Sequence, residues 1–473
     1  MICIILLGEI ARRVILANSL YTLNLHTTIT PETMPPPRRG EKIVVFAPHE
    51  DDETLGAGGY IQQAVKAGAD VHVVLMTNGE FPEVSVVLFE ETLSKKPQVF
   101  IRLGYRRQRE TIRAMKYFGI PAQNISFLGY PNHYVNQMWF PAHWQKSTPV
   151  RSIRTRVTYS PYDNSYTKHA IYCGESALND IESILVHDQP DTIVTLHPND
   201  IHPDHWPTYT FVDFALNELI GQGQPFAAKC KVYTYLIHRD YWPVPRGYWP
   251  ALNLEPPAKL ARVGNTTWLA LPLTVEQTIR KHKAIAMYRT QGGAYDPLLL
   301  SFARTNDLFG IIHQYVWPDQ NNVPVHEVIK DAAADMARSS LNARGDIISV
   351  TMERHNAFAR LSIRTRGTIS KQMRYRFSIH AGGASADERI IALYRWMGND
   401  GDAVIFEHGA LHTERRISVS STKNVTTITF PWPLEKEQRF FILRAWTNYK
   451  QLIVDQTLSN TFVIGNSLPI VVH

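Results

Sequence analysis

Apolar runs without polar alternation open the first folded part of the chain and are joined by helix-like stretches. Residues 43–47 form such a run, as expected of a strand that is buried on both faces. Residues 55–67 suit a helix that ends at Gly68, and residues 71–76 form a second apolar strand. Strand, helix and strand with short connections predict a βαβ unit, and therefore a parallel sheet with a right-handed crossover.

The same alternation of elements continues as far as residue 196. We expect helices over residues 106–118 and 177–186, and strands over residues 125–128 and 192–196. This order predicts an α/β fold with a Rossmann-like, mostly parallel sheet and helices on both faces.

Residues 132–174 interrupt that order. They are rich in Tyr, Trp, His, Pro and Ser and show no clear period. An irregular stretch of this length inside a compact domain is more often a binding loop than an idle connection, so we interpret it as a lid insertion at a substrate site. The alternative is a surface excursion that is held in place by its own aromatic side chains.

Alternation with a period of two begins near residue 341. Short segments separated by Gly, Asn, Asp or Pro cover residues 359–363, 374–380, 390–396, 403–406, 416–419, 426–430, 440–446 and 461–464. Segments of this kind predict a β-sandwich. We therefore divide the chain into a leader and linker (1–41), an α/β domain (42–340) and a C-terminal β-sandwich accessory domain (341–473).

Composition excludes several classes of protein. The 473 residues are 44% hydrophobic and 19% charged, which is typical of a folded chain. The formal net charge of +6 is modest and no long run of Lys or Arg occurs, so nucleic-acid binding has no support. The positive excess favours an anionic substrate or an anionic surface such as a cell wall. Three cysteines without a CxxC pair exclude a disulfide framework and a thiolate zinc site.

The N-terminal segment leaves the cellular location open. The apolar run at residues 2–7 is followed, rather than preceded, by the charges of Glu9, Arg12 and Arg13. A truncated export signal and a short amphipathic helix both fit this pattern, and the Pro-rich residues 31–40 fit an extended linker. The location is either cytoplasmic or the cell envelope, and the order of leader, linker and folded domain favours export.

A polar cluster follows the first predicted strand directly. His49, Asp51 and Asp52 come after residues 43–47, within a run of four acidic residues. Open α/β sheets bind ligands at the carboxyl ends of their strands, and acidic groups packed at a buried strand end repel one another unless a cation is present. Taken alone, this segment fits a metal site and an acidic helix cap equally well.

A second polar cluster favours the metal site. His202, Asp204 and His205 follow the predicted strand at residues 192–196. Two loops at the same edge of one sheet can converge, and a catalytic zinc needs three nitrogen or oxygen ligands with one position left for water. The two clusters together therefore predict a metal site rather than two unrelated polar loops.

These motifs resemble the PIG-L (LmbE-like) family of N-deacetylases, which carries His-x-Asp-Asp-Glu after a strand and a later His-Pro-Asp-His. The resemblance covers roughly residues 42–310 and includes the segments at 77–80, 107–110, 127–131 and 190–191. The segments at 160–162 and 172–175 are similar to a longer bacterial branch of the family. The predicted β-sandwich lies outside the family's core.

The resemblance implies a role for each residue of the two clusters. It implies that His49, Asp52 and His205 bind the metal and that Asp51 is the general base. It also implies that His202 stabilises the oxyanion or protonates the leaving amine.

Three further residues have supporting roles. The resemblance implies that Asp204 orients a site histidine from outside the ligand set and that Asn132 contacts the substrate. Arg107 is a further candidate for a substrate contact, although an arginine on an amphipathic helix is more often exposed or ion-paired. Two positions depart from the family pattern, because Glu50 stands where a proline is usual and Asn132 where many relatives have an aspartate. The first departure leaves the ligand spacing intact, and the second puts a substrate contact in doubt.

The function implied by the resemblance is that of a zinc-dependent N-deacetylase, with Fe²⁺ as an alternative metal. The substrate would be an N-acetylglucosamine-type sugar or glycoconjugate, small or polymeric, whose linear amide is attacked by a metal-activated water. The accessory domain would contact a cell-envelope polysaccharide. Two alternatives are a metal hydrolase of another amide or ester and a non-catalytic carbohydrate-binding protein.

Overall fold

The computed structural model describes residues 29–81, 89–90, 94–263, 265–414 and 416–465. The leader interpretation of residues 1–28 lies outside these ranges. Within them, no helix has the length and apolarity needed to cross a bilayer.

The N-terminal part of the structure is an α/β unit. Its strands are β1 (Glu32–Thr33), β2 (Lys42–Ala47), β3 (Asp70–Thr77), β4 (Ile125–Tyr130), β5 (Thr192–Leu196), β6 (Lys231–Tyr235), β7 (Thr266–Pro272) and β8 (Asn306–Ile312). The described α-helices of the chain are α1 (Asp52–Ala67), α2 (Pro97–Phe118), α3 (Val135–Met138), α4 (Gly174–Asp188), α5 (His205–Gly221), α6 (Val275–Ile285), α7 (Pro297–Leu300) and α8 (Ala337–Leu341). Short 3₁₀ turns lie at Ala122–Asn124, Pro141–His143, Ala227–Lys229, Leu260–Arg262, Arg289–Gln291 and Ala386–Glu388.

The strand order of this sheet is β1-β7-β8-β6-β5-β2-β3-β4. The five strands from β6 to β4 run parallel, whereas β8 is antiparallel to both β6 and β7. Residues 32–33, assigned to the linker from the sequence, pair with β7 and so belong to the sheet. The chain leaves β2 toward β3 and β4, then returns to β5 on the other side of β2. The topological switch point therefore lies between β2 and β5, where open α/β sheets bind their ligands.

Helices cover both faces of the sheet. Along β2, the side chains of Ile43 and Val45 pack in one core with α1, α2 and α6. Val44 and Phe46 point to the opposite face and pack in a second core with α4 and α5. The predicted Rossmann-like α/β fold is thus confirmed, although α2 begins at Pro97 rather than at residue 106.

The C-terminal part consists of two sheets. Its strands are β9 (Tyr315–Trp317), β10 (Asn322–Lys330), β11 (Ile347–His355), β12 (Phe358–Thr365), β13 (Met373–Gly382), β14 (Ile390–Met397), β15 (Asp400–Glu407), β16 (Ala410–Glu414), β17 (Ser418–Ser421), β18 (Val425–Pro431), β19 (Phe440–Tyr449), β20 (Leu452–Gln456) and β21 (Asn460–Ile464). One sheet has the order β10-β11-β12-β18-β17, and the other has the order β16-β15-β14-β13-β19-β21-β9, with β20 paired to β19.

The two C-terminal sheets pack face to face. Leu361 and Phe430 of one sheet share a core with Phe377 and Tyr394 of the other, and the rings of Tyr394 and Phe430 lie 4.5 Å apart. The predicted β-sandwich is confirmed. The two sheets of the sandwich also include β9 and β10, which precede residue 341, the predicted start of this domain.

The sandwich and the α/β unit share a continuous apolar core. Phe440 and Ile442 of β19 are buried in the same cluster as Phe214 of α5. Trp139, from the predicted lid insertion, stacks on His380 of β13 with ring centroids 4.1 Å apart. Trp139 therefore joins the two parts of the protein, whereas Tyr159 and Tyr166 of the same insertion are exposed.

A buried ion pair crosses the same interface. The guanidinium of Arg389 donates three hydrogen bonds of 2.6–3.0 Å to Glu218 of α5. A further bond of 3.1 Å reaches Glu182 of α4. Arg389 and Glu218 are both buried, so water does not compensate the charge of either residue if its partner is removed.

The first prediction tests this interface. Arg389→Ala leaves the carboxylate of Glu218 buried without its partner, and we expect it to lower the free energy of unfolding by about 3–5 kcal/mol. The control is Arg395→Ala, since Arg395 pairs with Asp402 at an exposed site; there we expect a loss of at most about 1 kcal/mol. Chemical unfolding followed by circular dichroism measures both. Equal losses for the two variants would contradict the role given to Arg389.

Candidate metal centre

The two polar clusters meet at the switch point of the sheet. Parallel pairing of Val45 with Val194 aligns β2 with β5, so both strands end at the same edge. The first cluster leads into α1, which begins at Asp52, and the second leads into α5, which begins at His205. Each loop therefore presents side chains at the start of a helix directly beyond its strand.

Three donor atoms from these loops converge. Asp52 Oδ2 lies 3.2 Å from His49 Nδ1 and 3.2 Å from His205 Nε2. The two ring nitrogens lie 3.1 Å from each other. The structure thus brings together the three residues for which the resemblance implied a metal-binding role.

The outer nitrogens of both rings are held by carboxylates. His49 Nε2 lies 3.0 Å from Asp204 Oδ2, and His205 Nδ1 lies 3.1 Å from Asp200 Oδ2. These contacts place the ring protons on the outer nitrogens, so that the inner nitrogens face each other and Asp52 as lone pairs. Histidines that bind metals are held by carboxylates in this way. The donor set therefore fits a divalent metal ion that accepts nitrogen and oxygen ligands.

The electrostatics of the cluster favour a positive charge at its centre. Burial lowers the pKa of His205, but the carboxylates of Asp200 and Asp52 outweigh burial and raise that pKa well above its usual value. Burial likewise raises the pKa of Asp52, but the two histidines outweigh it and lower the pKa. Both directions mean that this buried site stabilises a cation.

Asp204 is the hub that orients His49. Its Oδ2 accepts hydrogen bonds from Asn132 Nδ2 at 3.0 Å and from the backbone N–H of His133 at 2.6 Å, in addition to its contact with His49. Its Oδ1 accepts a bond of 3.1 Å from the N–H of Val135. The predicted lid insertion thus supplies the groups that fix Asp204.

Asn132, the predicted substrate contact, lies between Asp204 and Phe81. Its Nδ2 donates to Asp204, and its Oδ1 accepts a bond of 3.2 Å from the N–H of Phe81. Both ends of the amide are therefore engaged within the protein, and the side chain is buried. In this structure Asn132 braces the site.

Arg107 is buried beneath the site rather than exposed on its helix. Its guanidinium lies close to Gly79, because a Cβ built there would come within 2.3 Å of Arg107 Nη1 and 2.7 Å of Glu50 Oε2. Gly79 also has a φ of 59°, so the close approach and the backbone both require glycine. Burial raises the pKa of Glu50 to about 8, although Arg107 acts against that shift.

Asp51 and His202 lie beside the three convergent donors. Asp51 precedes α1 with a φ of 119°, a strained conformation of the kind that collects at functional sites. His202 Nδ1 accepts a bond of 3.2 Å from the backbone N–H of Asp204, so the ring proton belongs on Nε2. Burial and the neighbouring His205 and His49 lower the pKa of His202, which keeps the ring neutral.

Two site residues were not assigned a role from the sequence. Asp200 holds His205 and also accepts backbone bonds of 3.1 and 2.9 Å from Ile237 and His238. His238 follows β6, and its ring centroid lies 4.8 Å from that of His205. His238 lies three residues beyond the end of β6, and β6 ends at the same edge of the sheet as β5, so it is the strand order that brings His238 to the site.

Comparison with known proteins agrees with this geometry. The family described as GlcNAc-PI de-N-acetylase (PIG-L) matches residues 44–216. Residues 44–216 form a PIG-L domain. Both polar clusters and the first part of α5, from His205 to Leu216, lie within it.

Named relatives of the PIG-L domain share one description. A 1D-myo-inositol 2-acetamido-2-deoxy-alpha-D-glucopyranoside deacetylase from Mycobacterium sp. (strain KMS) is 28% identical over 211 residues, which cover 43% of this chain and 53% of that protein. A protein of the same name from Corynebacterium urealyticum is 24% identical over 265 residues, covering 53% of this chain and 71% of that protein. The match thus spans about half the length of the mycobacterial relative.

Among solved structures, N,N'-diacetylchitobiose deacetylase from Pyrococcus horikoshii is similar to this chain. It is 19% identical, and the match covers 53% of this chain and 70% of that one with a TM-score of 0.32.

The second prediction concerns metal binding by the PIG-L domain. His205→Ala should lose the metal while the domain stays folded, since neither strand depends on the ion. Asp204→Asn keeps the side-chain shape and all three donors, so we expect a fall of about 10–100-fold in metal affinity. Elemental analysis and metal titration measure these effects. His187→Ala is the control, because His187 is exposed on α4; a His205→Ala protein with stoichiometric metal would rule out the ligand set.

Proposed function

We propose that this protein is a metal-dependent hydrolase that removes the acetyl group from an N-acetylglucosamine-type sugar or glycoconjugate. The observation that carries the proposal is the convergence of His49 Nδ1, Asp52 Oδ2 and His205 Nε2 within 3.2 Å of one another. These three residues would hold the metal. Their nitrogen and oxygen donors suit Zn²⁺, and Fe²⁺ also accepts them.

When bound, the ion would polarise the amide carbonyl and acidify water, as metal hydrolases require. Asp51 would be the general base that takes the proton of the attacking water. Burial raises the pKa of Asp51 well above its usual value, and the adjacent carboxylates of Asp52 and Glu53 raise it further. A carboxylate with a raised pKa is a stronger base, which suits this role.

His202 would donate a hydrogen bond to the oxyanion. The neutral ring carries its proton on Nε2, because Nδ1 accepts the backbone bond from Asp204. A neutral imidazole is a hydrogen-bond donor but a weak acid, so oxyanion stabilisation fits His202 better than protonation of the leaving amine. The amine would instead receive the proton collected by Asp51.

The substrate class rests on the family description and on the names of the relatives. Both refer to removal of an acetyl group from a glucosamine-type sugar. The metal site alone would equally serve another amide or an ester, and that remains the alternative within the hydrolases. A non-catalytic carbohydrate-binding protein would have no use for a buried base such as Asp51.

The third prediction separates the base from the ligands. Asp51→Asn keeps the side-chain shape and removes its basicity, so metal content should stay near wild type while the rate falls by roughly 10²–10⁴-fold. Asp52→Asn should weaken metal binding, and excess metal should partly restore its rate. Elemental analysis and acetate release measured on both variants give the answer. If Asp51→Asn loses the metal and Asp52→Asn retains it, the two roles are interchanged.

The fourth prediction concerns the reaction. Metal-loaded protein should release acetate from at least one member of a panel of N-acetylglucosamine conjugates. Metal-depleted protein should not, and Asp51→Asn should release acetate roughly 10²–10⁴-fold more slowly. Free amine appearing in equal amount identifies amide hydrolysis. Release from acetate esters but from no N-acetyl sugar would favour the alternative hydrolase, and no release from any acyl compound would favour the binding protein.

A further inference from the structure

Three aspartates outside the catalytic centre converge at the edge of the sandwich. Asp331 follows β10, Asp335 lies in the loop before α8, and Asp455 belongs to β20. Their exposed fractions are 6%, 6% and 0%. One carboxylate oxygen from each lies within 4.8 Å of the other two.

Each of these carboxylates uses one oxygen within the protein. Asp331 Oδ1 accepts a bond of 2.9 Å from the N–H of Ala332, and Asp455 Oδ2 accepts one of 2.7 Å from the N–H of Ile347. Asp335 Oδ2 pairs with the guanidinium of Arg239. These contacts fix the orientation of all three side chains.

The second oxygen of each carboxylate has no partner. Asp331 Oδ2, Asp335 Oδ1 and Asp455 Oδ1 are buried and make no hydrogen bond. A buried polar atom without a partner is costly, and buried carboxylates are normally paired or bound to a metal. Three such atoms in one cluster form a site that suits a positively charged ligand.

The positive charges that act on this cluster come from Arg239, which pairs with Asp335, and from Arg444, which interacts with Asp331. These two guanidinium groups face three carboxylates, and Asp346 adds a further negative charge. Burial raises the pKa of both Asp331 and Asp455 well above the usual value, and the neighbouring carboxylates raise each further. The cluster therefore favours a further positive charge at its centre.

We propose that Asp331, Asp335 and Asp455 bind a divalent cation of the calcium type, separate from the catalytic metal. All three donors are carboxylate oxygens, which hard cations prefer, whereas the catalytic centre offers imidazole nitrogens. Calcium fits better than magnesium, because magnesium sheds its water reluctantly and these side chains are almost completely buried.

The ion would join three segments of the chain. It would bind the loop at residues 331–335 to β20, and through Asp335 it would hold Arg239. Arg239 Nη1 donates a bond of 2.9 Å to the carbonyl of Asn199, in the loop that carries His202 and His205. The site would therefore fasten the sandwich against the catalytic loop.

The test uses the full chain, freed of divalent ions and reloaded with zinc. Calcium titration should show one calcium ion bound per chain in addition to zinc, and calcium should raise the midpoint of thermal unfolding. The His205→Ala variant should still bind one calcium ion, and calcium should still raise its midpoint of thermal unfolding, because the substitution alters only the proposed zinc site. Absence of calcium binding to the wild-type protein at millimolar concentration would overturn the proposal, and binding of magnesium alone would overturn the calcium assignment.

Variants then locate the ion. Asp331→Asn and Asp455→Asn should each lose calcium binding, whereas Asp319→Asn, at an exposed position before β10, should keep it. The sign of the stability change is diagnostic. When a chelator has removed calcium, Asp455→Asn relieves the repulsion between like charges, so this variant should unfold at the wild-type temperature or above. When calcium is present, the variant should unfold at a lower temperature than the wild type. Calcium binding retained by either site variant would overturn the assignment, and Asp331→Asn decides the matter if Asp455→Asn does not fold.

Discussion

The parallel pairing of β2 with β5 is the constraint on which the candidate metal centre depends. Register between Ile43 and Thr192 brings the ends of the two strands together, although their polar loops lie about 150 residues apart in the chain. The βαβ crossovers place β3 and β4 on one side of β2 and β6 beyond β5. The site therefore lies at the switch point of the sheet, where the loops after β2 and β5 lead in opposite directions and leave a crevice between them. If β2 shifted by one residue relative to β5, each of its side chains would point to the opposite face of the sheet, and His49 would no longer lie beside His205.

The carboxylates behind the histidines explain why so many acidic groups are tolerated there. Asp204 and Asp200 each hold the outer nitrogen of one ring and receive backbone N–H bonds as well. Those bonds keep the carboxylates ionised and fix the tautomer of each ring, which points both lone pairs inward. A positive ion at the centre would then satisfy Asp52 and both rings at once.

The sequence predicted the parts of this arrangement that follow from local pattern. The apolar run at β2 and the histidine and aspartates just beyond it could be assigned without a structure, since buried parallel strands lack alternation. The bracing role of Asn132 could not, because it depends on contacts with Phe81 and Asp204 across the fold. His238 was missed for the same reason: a single histidine after a strand carries no signal until the strand order is known.

The sequence also did not predict how the α/β unit and the sandwich pack against each other. Alternation predicted the sandwich strands but not that Phe440 and Ile442 would enter the core of the α/β unit. The aromatic residues at 132–174 suggested a lid, yet Trp139 packs against His380 of the sandwich while Asn132 and the N–H of His133 hold Asp204. The same short segment thus contacts both the accessory sheets and the group that orients His49. Because a packed core does not deform continuously, movement of the sandwich relative to α5 would disturb the position of Asp204 and, through it, the orientation of His49.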